Sequence, residues 1–239
     1  MIGFEVHTIL PVIHHIDFNT SLHQAEIAFK SGADGVFLIS HRGDDSHLLR
    51  PASAIKSKFK SKLVGVNFLT RGPLESFRLG RAAEMDMIWS DTPGISSDGI
   101  SHEANIIGQE LAQEGTCPQF FASVAFKYQP EEPLPGIAAS KAALCRMIPT
   151  TSGKETGAAP FLSKIKTMSA NVNHGPLAIA SGVSPANVEK FLPFVSHILV
   201  ATGVSVDEHH FSENLMLELI ERVRSWDKGR MSPDLGGYI

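Results

Sequence analysis

Eight short apolar runs, each followed by a helix-like stretch, limit this chain more than any other feature. They fall at 8–14, 35–40, 63–69, 87–90, 120–126, 146–149, 177–180 and 198–201. Strands separated by helices pair in parallel through right-handed crossovers, and eight is a number at which a parallel sheet closes around a filled interior. The reading is an α/β chain folded as a (β/α)8 barrel, with one closed parallel sheet and an outer ring of helices; an open doubly wound sheet is the alternative. A length of 239 residues suits one such domain. It is placed at 1–226, with 227–239 as a C-terminal surface tail because Gly, Pro and Ser crowd that end.

Local signals agree with the repeat. Asn19 or Thr20 precedes LHQAEIAFKSGA as a helix cap, and Gly32 stops that helix. Ser184 before PANVEKFLPFV predicts another helix, with serine at the cap and proline at the first helical position.

Composition excludes several classes. With 21 basic and 25 acidic side chains there is no positive field to hold nucleic acid. Cys117 and Cys145 are too few and too far apart for a metal knuckle or a disulfide framework, which fits a reducing compartment. The start, MIGFEVHTILPVIHHID, has no basic region before its apolar run, so a soluble, cytoplasmic protein without membrane insertion is expected. GxGxxG is absent after the first strand, and no cofactor is expected.

In a closed barrel the working face lies at the carboxyl ends of the strands. On strand five, alternation sends Val124 and Phe126 toward the helices and Ser123, Ala125 and Lys127 toward the axis. Lys127 is then a substrate anchor, an amine nucleophile or half of a structural ion pair. Asn67 turns inward on strand three, to orient a substrate hydroxyl or to cross-link strands. Asp91, just past strand four, is a general base, a partner for Lys127 or a helix cap. His14 and His15 end strand one, and His41-Arg42-Gly43-Asp44-Asp45 ends strand two, offering acid–base groups or metal ligands. Adjacent strand residues face opposite ways, so only one of His14 and His15 should reach the mouth. The HxH pattern of a metal-dependent hydrolase is missing, and no metal ligand set is assigned.

Strand seven continues into Ser181-Gly182 and strand eight into Thr202-Gly203. Glycine lets backbone approach an anion, and loops seven and eight form the phosphate cradle of many such barrels; tight turns are the plainer use. The long loop after strand six, with Gly153, Thr156 and Gly157, is a lid, a sugar-phosphate contact or an ordinary connection.

The ordered phrases GADGVFLISHRGDD, VGVNFLTRGPLESFRLGRAAEMDMIW, SSDGISHEA, SGKETGAAP and IASGVSPANV, with Lys127 among them, resemble the BtpA/SgcQ family over most of the chain. The resemblance implies a TIM barrel, a homo-oligomer and a role in photosystem I biogenesis or sugar catabolism. The positions carried over are His14, Asn67, Lys127, the Gly153, Thr156 and Gly157 loop, and Ser181-Gly182. HIDFNTS, SHRGDD and WSD depart from the family's Pro- and Gly-rich, ENFGD and RVN-like segments.

These readings predict an enzyme acting on a phosphorylated sugar or phosphoribosyl-type metabolite, by isomerase, lyase or glycosidic-bond chemistry. A non-catalytic assembly or regulatory protein that binds a phosphorylated small molecule is the alternative. A metal-dependent hydrolase is third.

Overall fold

A computed structural model describes residues 6–43, 45–113, 115 and 117–231. Eight parallel strands close into one barrel in sequence order: β1 (Thr8–His14), β2 (Gly35–Ile39), β3 (Leu63–Asn67), β4 (Met87–Ser90), β5 (Gln119–Ser123), β6 (Ile148–Thr151), β7 (Ala178–Ala180) and β8 (His197–Val200), with β8 returning to β1. Around it lie α1 (Phe18–Ser31), α2 (Leu49–Lys58), α3 (Pro73–Ala82), α4 (His102–Leu111), α5 (Pro135–Leu144), α6 (Leu162–Asn171) and α7 (Glu213–Met231).

The unit after β7 departs from expectation. Among the described residues it forms turns around a short 3-10 helix, Val188–Lys190, rather than an α-helix capped by Ser184. Phe191 and Phe194 donate to carbonyls three residues back. Pro193 has no N–H to extend an α-helical ladder. The cap of α1 is also displaced: Asp17, not Asn19 or Thr20, accepts the Thr20 amide at 2.9 Å. Gly32 does end α1, in a left-handed conformation at φ 106°.

The barrel interior is filled rather than open. Phe37 from β2 meets Trp89 of β4 and Phe121 of β5 edge-to-face, with ring centroids 5.7 and 5.1 Å apart. Gly65 faces the same space, where an added Cβ would collide with the Phe37 ring. A separate and larger apolar layer packs the outer strand faces against the helices.

The opposite end of the barrel is closed by charge. His7 and Asp227 are both buried, and the His7 ring sits between the Asp227 carboxylate and the Leu192 carbonyl. Arg224 donates to the His7 carbonyl at 2.6 Å and grips both Asp34 carboxylate oxygens. The proposed boundary after residue 226 therefore cuts through α7, because Asp227 is a buried partner and the helix continues to Met231. Residues 232–239 lie outside the described residues.

Two stability outcomes follow. Asp227→Ala leaves a buried imidazole without its carboxylate and should lower the unfolding free energy by about 3–5 kcal/mol in urea titrations. Gly65→Ala forces the Phe37 ring aside and should cost about 1–3 kcal/mol in the same measurement.

Candidate active site

The mouth at the strand carboxyl ends gathers residues from most of the βα loops. Asn67, the last residue of β3, is fully buried and faces inward as alternation predicts. Its side-chain amide donates to Asp91 Oδ1 at 3.1 Å, while its own Oδ1 has no partner among the described residues. Asp91 is not a helix cap; Ser101 caps α4. Burial pushes the Asp91 carboxyl above the usual carboxylate range, and the Asn67 hydrogen bond and the nearby Lys127 and His41 charges only partly oppose it. A carboxyl that keeps its proton to higher pH than usual is a candidate for proton transfer.

His14 and His41 meet edge-to-face with centroids 4.9 Å apart. Desolvation, followed by repulsion from His41, lowers the His14 pKa from 6.5 to about 4, although a hydrogen bond to the Glu208 backbone pulls the other way. The ring is neutral at pH 7, and its buried Nδ1 has no partner among the described residues. Only His14 of the adjacent pair lines the mouth cavity; His15 Nδ1 instead meets Ser21 Oγ at 2.7 Å. The cavity has a volume of about 600 Å³ and is walled by His14, His41, Tyr128, Thr156, Thr202 and the Ser205–Glu208 segment. In the strand-two run, Asp45 is structural: it accepts from the backbone amides of Leu69 and Thr70 at 3.2 and 2.7 Å, and Asp44 lies outside the described residues.

Lys127 lies at the mouth by a different route from the one alternation gives. β5 ends at Ser123, and Ala125 takes a left-handed φ of 50°, which reverses the pattern. Phe126 therefore turns into the interior cluster, 5.9 Å from Trp89, rather than toward the helices. Lys127 is half-buried, and its Nζ donates to Thr156 Oγ1 at 3.1 Å, not to Asp91. Gln129 holds this turn: it donates to the carbonyls of Asp91 and Ser123 at 2.7 and 2.9 Å and accepts from Phe126 N.

The glycine-bearing loops after β6, β7 and β8 stack on one another. Gly153 and Gly182 face the backbone of Ala158 and Ala159 so closely that a Cβ on either would collide with it, and one on Gly203 would strike the Val183 carbonyl. Ser181 and Gly182 are both left-handed, at φ 71° and 69°. Ser181 Oγ takes the Gly157 amide at 3.1 Å. These glycines serve close packing between loops. Thr202, at the start of the short 3-10 helix Thr202–Val204, lines the mouth.

The acidic and histidine-rich turn Asp207-Glu208-His209-His210 was not singled out from the sequence. It closes over strand one, with His209 Nδ1 3.2 Å from the His14 carbonyl, and Asp207 pairs with His210. A run of titratable residues directly after strand eight is a legible signal. Gln129 has none, since only the reversed turn gives it a purpose. Among the described residues, no group of three or more His, Cys, Asp or Glu side chains is placed to hold a metal ion, and no helix is long and apolar enough to cross a membrane.

No protein-family model matches the chain, and no curated protein matches its sequence. Solved structures do match its fold. Phosphoribosyl anthranilate isomerase from Thermus thermophilus superposes with a TM-score of 0.65 at 18% identity, over 92% of this chain and 99% of its own. A native KDPGal structure gives 0.66 at 12% identity, over 92% and 96%. A 3-hexulose-6-phosphate synthase gives 0.64 at 11% identity, over 89% and 97%. The chain shares the TIM-barrel fold with these proteins, two of which are named for phosphorylated sugar or phosphoribosyl compounds.

The acidity shifts set a pH dependence of stability. Burial also lowers His197, at the start of β8, to about 4. For His14 and His197 the native pKa lies below the unfolded 6.5. The unfolded chain then binds more protons between these values, and stability falls as pH drops from 6.5 toward 4. Urea midpoints should follow that fall, and His197→Phe should make it shallower by up to about 3 kcal/mol. Asp91 has the opposite sign: its raised pKa favours the protonated native state, and that contribution is lost as pH rises through the folded value, so Asp91→Asn should raise the midpoint above that value and steepen the fall on the acid side.

Proposed function

We propose that this protein is an enzyme acting on a phosphorylated sugar or phosphoribosyl-type compound, by isomerase, lyase or glycosidic-bond chemistry at the barrel mouth. The observation that carries this reading is opposite acidities linked through His41, whose charge acts on Asp91 and whose ring packs against His14 at 4.9 Å. Asp91 retains its proton to higher pH and His14 stays neutral with a ring nitrogen uncommitted. The first can donate a proton where the second can accept one. Asn67 holds Asp91 in position, and Lys127 with Thr156 supplies donors for substrate oxygens. The phosphate is assigned to the loops after β7 and β8, with Gly182, Thr202 and Gly203, because those loops hold phosphate in many such barrels, and Thr202 lining the mouth supports the assignment.

A second reading rests on the loop packing. Ser181 Oγ and the open side of Gly182 are taken by the loop after β6. Asp207 and Glu208 add negative charge to the mouth wall. Both features take up space and charge that turnover of a phosphorylated substrate would need, and they favour a non-catalytic assembly or regulatory protein that binds a phosphorylated small molecule without converting it, of the kind the BtpA/SgcQ resemblance implies.

Thermal shift separates the two. At a ligand concentration of about 100 Kd, a binder of the native state adds about 2.7 kcal/mol, a rise of roughly 5–10 °C for a chain of this size. Inorganic phosphate, ribose 5-phosphate, phosphoribosyl pyrophosphate and hexulose phosphates are screened against wild type and Thr202→Asp. Gly182 is a poor probe, because any side chain there collides with Ala158. A shift in wild type that Thr202→Asp removes supports the phosphate assignment. Turnover of the shifting compound that Asp91→Asn lowers at least a hundredfold supports the enzyme. A shift without turnover favours the second reading, and no shift with any compound ends both.

A further inference from the structure

Beside the mouth lies another cavity, of about 560 Å³, between the loops that follow β5 and β6. Its walls include Phe126, Tyr128, Pro130, Pro160 and Phe161, and Tyr128 and Phe161 are 78% and 73% exposed. Two large aromatic side chains held out in solvent at the rim of one cavity are unusual for a surface that meets only water.

Lys164, the third residue of α6, lines the same cavity. Its Nζ donates to the Ala125 carbonyl and, at 2.8 Å, to the Ser152 carbonyl. A tetrahedral amine nitrogen with its Cε and these two hydrogens has one position left, where the neutral form carries its lone pair. Burial lowers the ammonium from 10.5 to about 8, and no carboxylate offsets it. The positive end of the α6 dipole acts in the same direction. Lys127 differs: its amine is tied to Thr156 at the exposed rim.

We propose that this cavity is a second ligand site for a small aldehyde or ketone with an apolar or aromatic body, and that the Lys164 amine adds to its carbonyl carbon. The nitrogen lone pair forms the new C–N bond as the C=O π electrons move to oxygen. Protonation of that oxygen and loss of water leave a protonated imine. That imine keeps one N–H for the Ala125 or Ser152 carbonyl, and the other carbonyl is released to water. Lys127 and Tyr128 border this cavity as well as the mouth, but the assignment rests on Lys164 and does not require the reading of the mouth.

The test treats the full chain with pyridoxal, an aromatic aldehyde, at several pH values, reduces the adduct with borohydride and maps the modified lysines by mass spectrometry. Lys164 should be labelled at least tenfold faster than Lys190 or Lys228, with a half-maximum near pH 8. Glyceraldehyde at the same concentration should label it several-fold less. Lys164→Arg keeps donors for both carbonyls and should abolish the fast-labelled fraction, while Thr202→Asp and Asp91→Asn should leave it intact. Even labelling across the lysines overturns the proposal, as does protection of Lys164. Equal labelling by glyceraldehyde overturns the assignment of an apolar-bodied ligand. The wild-type map decides these points even if a variant fails to fold.

Discussion

The edge-to-face packing of Phe37 against Trp89 and Phe121 is the interaction on which the rest of the molecule depends. Three aromatic rings from β2, β4 and β5 fill the barrel axis, and Gly65 on the intervening strand leaves them room. A filled axis excludes water from the barrel, so polar chemistry is displaced to the two ends. At one end His7, Asp227, Arg224 and Asp34 form a closed, mutually satisfied cluster. At the other, Asn67 and His14 keep buried polar atoms without partners among the described residues.

Desolvation then sets the acidities of the mouth. The apolar layer below Asp91 raises its carboxyl, and the same kind of burial lowers His14, so a single cause drives an acid and a base in opposite directions. Lys127 and His41 temper Asp91 without forming an ion pair with it. Loop packing limits the space at this corner: Ala158 and Ala159 cover Gly182, while Thr202 lines the mouth.

How much of this was legible is clearest at particular residues. The inward turn of Asn67 and the arrival of only one of two adjacent histidines at the mouth both follow from period-two alternation, which holds while a strand lasts. Alternation fails at Phe126 because β5 stops at Ser123 and Ala125 enters the left-handed region. Nothing in the phrase FASVAFKYQ announces that stop, since Gln129, which holds the turn, lies outside the strand. Gly153, Gly182 and Gly203 were legible as positions of close approach, but what approaches them was not: here it is neighbouring backbone.

The sequence by itself determined the architecture, because eight apolar runs with intervening helical stretches have few ways to bury themselves, and it determined which residue types stand at the strand ends. The tertiary structure alone decided which of those residues share an environment. Asp91 and His14 are 77 positions apart in the chain, and their acidities diverge only once barrel closure removes water from both. Lys164 is one lysine among twelve in the sequence, and it is set apart only when α6 carries its amine under the carbonyls of Ala125 and Ser152.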